Sequence, residues 1–238
     1  MSLFNHPTGP TKDIFSGDAA SRALSATVVE NDFVERVYEK LAAVYDYTFG
    51  PTLHPGRLEA IEKMVIRPGD TVLEVGVGTG INLSLYPRSC TVTGIDLSRN
   101  MLEKASKRVI VKGLHNCRVL EMDAAAMTLP DDSFDIVYAP YLISVVPDPV
   151  KVAREMYRVC RPGGRVIILN HFKSDNAFLS RIETAICPLT VHIGFKSDLD
   201  LPGFLAQAGL EPISIEKVNL PRIWSLVTIV KQPTAAAV

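Results

Sequence analysis

A short apolar run that ends in three alternate glycines constrains the fold of this chain more than any other feature. Residues 71–75 read Thr-Val-Leu-Glu-Val, which is typical of a buried strand, and Gly76, Gly78 and Gly80 follow directly. Glycines at such a point let backbone N–H groups approach a ligand at the carboxyl edge of a parallel sheet. We therefore predict a ligand site at the turn after this strand.

The spacing of the glycines and the acidic residue before them restrict the ligand. The turn reads GxGxG, whereas a dinucleotide fingerprint reads GxGxxG and places a pyrophosphate at a helix N-terminus. Glu74, two positions before Gly76, would repel a pyrophosphate, but it could attract an ammonium group or order the turn. Asp96 ends the next predicted strand, where a carboxylate can accept hydrogen bonds from both ribose hydroxyls. These residues predict a site for a nucleoside with a cationic, phosphate-free tail and disfavour a nicotinamide oxidoreductase.

Strands and helices alternate along most of the chain. This order predicts an α/β fold with a parallel sheet and helices on both faces. The tight link at residues 219–222 predicts that the last two strands are antiparallel, because a parallel crossover needs about a dozen residues or more. In the helix over residues 55–65 we expect Leu58, Ile61 and Val65 to face inward. The predicted strands cover residues 71–75, 91–96, 116–122, 134–139, 165–170, 211–218 and 223–230, and the predicted helices cover residues 19–47, 55–65, 98–112, 148–160, 177–186 and 198–208.

The composition predicts one folded domain with an N-terminal extension. The 238 residues carry 25 Lys and Arg against 26 Asp and Glu, which argues against nucleic acid as a partner, since that needs a basic surface. Four scattered cysteines fit neither a zinc site nor a disulfide framework. No apolar run reaches the roughly 18 residues of a spanning helix. We expect a flexible arm over residues 1–17, an amphipathic helical extension or lid over residues 18–50, and a single domain over residues 51–238.

Several of these segments resemble the motifs of class I S-adenosylmethionine-dependent methyltransferases. The resemblance implies a Rossmann-like, seven-stranded, mostly parallel sheet with an antiparallel last strand, formed by the domain over residues 51–238. It also implies S-adenosyl-L-methionine as the cofactor, S-adenosyl-L-homocysteine as its product, and no metal. The segments that carry it lie within residues 65–172 and are the glycine turn, Gly94-Ile95-Asp96-Leu97-Ser98, Asp123-Ala124, residues 131–135, and Arg161-Pro162-Gly163-Gly164.

The same resemblance implies roles for individual residues. Asp96 would bind the ribose, and Asp123 would accept a hydrogen bond from the adenine amino group, with the backbone of Ala124 beside it. Met101 and Leu97 would flank the adenine ring. The glycines would approach the methionyl portion. The expected cofactor-binding residues are Tyr47, Glu74, Gly76, Gly78, Gly80, Asn82, Asp96, Leu97, Met101, Asp123, Ala124 and Pro140.

Aromatic and polar residues near the ends of the fourth and fifth strands suggest the acceptor site. Methyl transfer is an in-line displacement, so positioning and the exclusion of water can supply much of the catalysis. Methylated ammonium groups favour aromatic faces, and we expect Tyr45, Tyr141 and His171 to be catalytic if the acceptor is an amine. Scattered cations of the C-terminal half could contact an anionic acceptor. The expected substrate-binding residues are Tyr45, Ser144, Arg181, His192, Lys196 and Arg222.

In overall layout the chain is similar to bacterial phospholipid N-methyltransferases, which convert phosphatidylethanolamine stepwise to phosphatidylcholine. The likeness includes Tyr45-Asp46-Tyr47 ahead of the glycine turn. It implies a cytoplasmic enzyme that attaches peripherally to the cytoplasmic face of a membrane and has a phospholipid substrate and the anionic membrane surface as partners. The sequence leaves the oligomeric state open, and we favour a monomer. The same segments also resemble quinone C-methyltransferases. A small-amine methyltransferase and a non-catalytic nucleoside-binding or lipid-surface module stay open as alternatives.

Overall fold

The seven strands of the sheet are the core of the architecture, which a computed structural model describes for residues 53–173, 199–219 and 222–233. The predicted arm, the helical extension and the helix over residues 177–186 lie outside the described residues. The strands are β1 (Thr71–Val75), β2 (Thr91–Asp96), β3 (Cys117–Glu121), β4 (Phe134–Pro140), β5 (Cys160–His171), β6 (Ser214–Val218) and β7 (Trp224–Val230).

The strand order is β3-β2-β1-β4-β5-β7-β6, and β7 runs antiparallel to both of its neighbours. This confirms the predicted mostly parallel sheet with a reversed last strand. One strand is longer than predicted, because β5 begins at Cys160, which pairs with Phe134, rather than at Arg165. A register shift between Phe134 and Ile136 accommodates the extra residues, and Gly163 and Gly164 therefore lie within the strand.

The helices begin and end close to the predicted positions, because polar side chains cap their first turns. The Ser98 hydroxyl accepts a hydrogen bond from the Met101 N–H, and the Asp148 and Asp200 carboxylates accept bonds from the N–H groups of Lys151 and Gly203. After a first helix, α1, over residues 53–63, the others are α2 (Arg99–Val111), α3 (Pro149–Val159) and α4 (Leu201–Ala208), with a short 3-10 helix at Ile81–Ser84. No helix among the described residues is both long and apolar enough to cross a membrane.

The inward face of α1 differs from the prediction. Leu58 and Val65 are 46% and 66% exposed, so the expectation that they face inward is wrong, whereas Ile61 is buried as expected. The residues in α1 and directly after it that face the core recur at helical spacing, but one of them is a charged arginine, and this hides the pattern. They are Leu53, Arg57, Ala60, Ile61 and Met64.

Apolar clusters cover both faces of the sheet and fix the position of its carboxyl edge. Residues of α3 and α4 pack in one cluster with β4 residues such as Val137, and residues of α1 and α2 pack in the other with Tyr138. In the strand order, β1 and β4 are neighbours, and the strands that follow them in sequence, β2 and β5, lie on opposite sides of this pair. The connections after β1 and β4 therefore run in opposite directions from the carboxyl edge of the sheet. Open α/β sheets bind ligands in the crevice at such a switch point.

Candidate active site

A cleft of about 390 Å³ lies at this switch point, on the carboxyl edge of the sheet. Its volume falls within the range of small-molecule sites, about 300–1,000 Å³. Most of the predicted cofactor residues that the structure describes line it. They are Glu74, Gly76, Gly78, Asn82, Asp96, Leu97, Met101, Asp123, Ala124 and Pro140.

The glycine turn forms the floor of the cleft, but its members differ in what they do. Gly76 has φ +75°, and a Cβ atom built on it would lie 2.7 Å from Leu142 Cδ1, which also lines the cleft. Gly78 faces open space, and its N–H donates to Asp96. Gly80 does not line the cleft: its Cβ position lies 3.0 Å from Ala105 Cβ on α2. The third glycine therefore allows close packing of α2 rather than approach to the ligand.

The Asp96 carboxylate is held in place by the backbone. Its Oδ2 accepts a hydrogen bond from the Gly78 N–H at 2.8 Å, and its Oδ1 accepts one from the Ser98 N–H at 2.9 Å. Burial raises the pKa of this carboxyl, and the nearby backbone N–H groups of Ser98, Gly78 and Leu97 oppose that shift. A carboxylate has about four acceptor positions, so the two bonds leave room for both hydroxyls of a ribose.

Glu74 is buried beneath the turn, and its partners come from the segment after it. The carboxylate accepts hydrogen bonds from Asn82 Nδ2 at 2.9 Å and from the Tyr86 hydroxyl at 2.6 Å. Burial raises the pKa of Glu74 from 4.5 to about 7, against the opposing effect of these bonds and of the nearby Arg57. Tyr86 was missed in the sequence, where it reads as an ordinary residue of the loop before β2.

The raised pKa of Glu74 predicts a stability that depends on pH. The folded protein binds a proton more tightly than the unfolded chain, so the stability that this group contributes is full below pH 4.5 and is lost as the pH rises through about 7. At about 1.4 kcal/mol per pKa unit the loss is about 3 kcal/mol. Urea unfolding of the wild type and of Glu74→Gln from pH 5 to 8 measures it, since the variant should lack this slope. Glu103→Gln, an exposed change on α2, should retain it, and parallel wild-type and Glu74→Gln profiles would contradict the prediction.

The far end of the cleft is formed by the residues after β3 and the first turn of α2. The Asp123 Oδ1 accepts a hydrogen bond from the Ala125 N–H at 2.8 Å, and Asp123 and Ala124 both line the cleft. Met101 lines it from α2 and is buried, whereas Leu97 is 48% exposed at its rim. This end is therefore apolar, with one carboxylate at its edge.

Tyr141 lines the other end, directly after β4. Its φ is +57°, a strained value for a residue with a side chain, which needs support from its surroundings. Its hydroxyl donates to the Leu53 carbonyl at 3.0 Å, and its ring packs against the Trp224 ring in a T-shaped contact at 4.9 Å. Trp224, the first residue of β7, also contacts the His171 ring at 5.6 Å. Its role at this site was missed, because only the sheet brings the ends of β5 and β7 together.

Not every expected acceptor residue reaches the cleft. Ser144 is completely buried, and its N–H and hydroxyl both donate to Asn170 Oδ1, so the structure directs it away from the cleft. His171 is buried at the end of β5 and is not part of the lining, and the exposed Arg222 donates to the Lys217 carbonyl. Tyr45, Tyr47, Arg181, His192 and Lys196 lie outside the described residues.

The sequence analysis also missed Arg57. It is only 6% exposed, lines the cleft, and places its guanidinium carbon 5.2 Å from the centroid of the Tyr141 ring. A signal was available, because Arg57 stands four residues after Leu53 and four before Ile61, on the stripe that an amphipathic helix buries.

The fold and the cleft define the class I methyltransferase architecture, and comparisons with known proteins agree. A family model described as a methyltransferase domain matches residues 73–168. A phosphatidylethanolamine N-methyltransferase of Cereibacter sphaeroides is 41% identical over 186 residues, which cover 78% of this chain and 91% of that protein. A demethylmenaquinone methyltransferase of Listeria monocytogenes serotype 4a (strain HCC23) is 33% identical over 60% of this chain and 64% of that protein.

Among solved structures, the phosphoethanolamine N-methyltransferase 2 of Haemonchus contortus in complex with S-adenosyl-L-methionine matches with a TM-score of 0.68. It is 19% identical and aligns over 86% of this chain and 60% of its own. At this identity the match supports the fold alone. Together with the sequence relatives, it places the chain in the family of S-adenosylmethionine-dependent methyltransferases, and S-adenosyl-L-methionine is its methyl donor.

Proposed function

We propose that this enzyme transfers methyl groups from S-adenosyl-L-methionine to the amine of phosphatidylethanolamine and then to its mono- and dimethylated products. The observation that carries the proposal is the 41% identity to the Cereibacter sphaeroides phosphatidylethanolamine N-methyltransferase over 91% of that protein. A match across nearly the whole relative includes regions outside the cofactor motifs, and it therefore bears on the acceptor as well as on the cofactor.

The geometry of the cleft supports one orientation of the cofactor. Asp96 receives the ribose hydroxyls, and the adenine lies toward Asp123 and Ala124, between Leu97 and Met101. The methionyl portion then passes over the turn at Gly76. This orientation directs the sulfonium toward Pro140 and Tyr141, where the acceptor amine approaches for an in-line displacement.

The acceptor end of the cleft, at Tyr141, contains an aromatic ring that is partly covered. The Arg57 guanidinium stands over the Tyr141 ring, so Tyr141 alone offers less ring surface to a methylated ammonium than an open aromatic cage would. We propose that Tyr45 completes this end of the cleft and that His171 acts through its contact with Trp224. The anion contacts proposed for Arg181, His192, Lys196 and Arg222 belong to the same hypothesis. Ser144 is not part of it, since its hydroxyl is committed to Asn170.

A lipid acceptor implies contact with a membrane surface. We propose that the enzyme attaches peripherally to the cytoplasmic face of the membrane through the extension over residues 18–50, with anionic lipid as its partner. Such attraction is screened by salt. The relationship to a phospholipid methyltransferase supports this placement.

The direct test is methyl transfer into lipid. Purified protein is incubated with radiolabelled S-adenosyl-L-methionine and with vesicles that contain or lack phosphatidylethanolamine, and the lipids are separated by chromatography. We expect label in the mono-, di- and trimethylated lipids only when phosphatidylethanolamine is present. Retained cofactor binding without labelled lipid would contradict the proposed acceptor.

A quinone C-methyltransferase is the second candidate, favoured by the 33% identity to the Listeria demethylmenaquinone methyltransferase over 64% of that protein. The same vesicles loaded with demethylmenaquinone distinguish the two functions. Label in the quinone but not in the phospholipid would establish this alternative.

A further inference from the structure

A buried guanidinium without a complete set of partners lies at the wall of the cleft. Arg57 occupies a core-facing position of α1, between the buried Leu53 and Ala60, and is only 6% exposed. Its Nη1 atom is buried, and no group among the described residues accepts a hydrogen bond from it. Burying a charged donor that lacks an acceptor is costly, and proteins retain such groups where a ligand completes them.

The surroundings of Arg57 indicate where its missing partner would lie. The guanidinium stands over Tyr141, and the buried carboxylate of Glu74 is close enough for Arg57 to lower its pKa. The described residues include no ion pair between Arg57 and Glu74, although both line the same cleft. One buried cation and one buried carboxylate therefore face a shared space beside Gly76 without neutralising each other directly.

We infer that Arg57 binds the α-carboxylate of the S-adenosyl-L-methionine methionyl group. An α-amino acid carries a carboxylate and an ammonium on one carbon atom, and the cleft supplies a guanidinium for the first and the Glu74 side of the turn for the second. A guanidinium is well suited to a carboxylate, because its N–H groups can form two parallel hydrogen bonds. The inference rests on the cofactor orientation proposed above and does not depend on which acceptor is methylated.

A second oxyanion could reach the same residue, namely the phosphodiester of a phospholipid acceptor. The carboxylate is favoured because Arg57 is close to Glu74, which lies in β1 just before the glycine turn, where the methionyl portion passes. The two ligands can be distinguished by a change at Arg57. If Arg57 binds the carboxylate, the change lowers the affinity for the cofactor; if Arg57 binds the phosphodiester, the change raises the Michaelis constant for the acceptor.

The test uses the full chain, S-adenosyl-L-homocysteine and its decarboxylated analogue, which retains the amine but lacks the carboxylate. Isothermal titration calorimetry should show that the wild type binds S-adenosyl-L-homocysteine about 10- to 100-fold more tightly than the analogue, as expected for a buried charge-assisted hydrogen bond. Arg57→Gln should lose this preference by weakening only the binding of S-adenosyl-L-homocysteine, and Arg57→Lys should recover part of it. Arg67→Gln, an exposed change in the loop after α1, should match the wild type.

Three results would overturn the inference. The first is equal affinity of the wild type for both ligands, a comparison that needs no variant and holds even if Arg57→Gln fails to fold. Arg57→Gln could weaken both ligands by the same factor, which is the result expected of a purely structural residue. Finally, unchanged affinity for S-adenosyl-L-homocysteine with a raised Michaelis constant for phosphatidylethanolamine vesicles would assign Arg57 to the phosphodiester. The first two results come from cofactor binding alone and do not depend on whether phosphatidylethanolamine is the acceptor, so failure here is distinguishable from failure of the proposed function.

Discussion

Replacing Asp96 with Ala is expected to weaken binding of S-adenosyl-L-homocysteine about 100-fold or more, because two hydrogen bonds to a charged group, each worth about 1.5–3 kcal/mol, are lost together. The carboxylate also organises the site, since it accepts bonds from the N–H groups of Gly78 and Ser98. Its removal leaves both donors without this acceptor and loosens the glycine turn. Calorimetric titration with S-adenosyl-L-homocysteine measures the effect, and methyl transfer should fall with it.

Two further variants separate the lost contact from a general disturbance. Asp96→Asn keeps one acceptor oxygen and should lie between the wild type and Asp96→Ala in affinity. Asp132→Asn changes an exposed carboxylate that pairs with Lys231 and precedes β4, at the edge of the sheet opposite the cleft, and should leave cofactor binding unchanged. Wild-type affinity in Asp96→Ala would remove Asp96 from the ribose site.

The second large effect is expected for Gly76→Ala, which adds a methyl group at the floor of the cleft. The new Cβ atom would lie 2.7 Å from Leu142 Cδ1, so the leucine must move within the wall that it shares with the cofactor. The backbone at φ +75° adds strain of about 1–2 kcal/mol for any residue with a Cβ atom. We expect affinity for S-adenosyl-L-homocysteine to fall about 10-fold or more, with a matching loss of stability.

Gly69→Ala provides a matched control for that strain. Gly69 has φ +90°, but its Cβ position has no atom within 4 Å, and it lies before β1 at the opposite edge of the sheet. Both variants should lower the free energy of unfolding in urea by about 1–2 kcal/mol, whereas only Gly76→Ala should weaken cofactor binding. Equal affinities in the two variants would mean that crowding by Leu142 is unimportant.

Local chemistry explains why so much of the fold could be predicted. Capping at Ser98 and the apolar run of β1 act over a few residues, and the structure confirms both. The tight link after β6 was enough to predict the reversal of β7. Errors occurred where pairing across the sheet overrode local signals, as at Cys160, which extends β5 by pairing with Phe134.

The site residues also differ in how far they could be predicted from local sequence. The residues of the cofactor end belong to motifs whose spacing is local, and Asp96 and Gly76 were predicted together for this reason. At the acceptor end, Tyr141 was predicted from its place after β4, but its contacts with Leu53 and Trp224 join distant parts of the chain. Ser144 follows the same strand, and nothing near it in sequence indicates that Asn170 holds it in the interior.

The sequence by itself determined the parallel sheet, the glycine turn and the carboxylate that ends β2, because periodicity, caps and short motifs depend on neighbours along the chain. Only the tertiary structure decided which polar residues face the cleft. It buried Arg57 against Tyr141, placed the Tyr86 hydroxyl on Glu74, and used Gly80 for packing against α2. The burial of a side chain and its hydrogen-bond partners depend on residues that are distant in sequence. The role of a charged residue on the buried face of a helix, such as Arg57, can therefore be inferred only once the structure shows the cleft beside it.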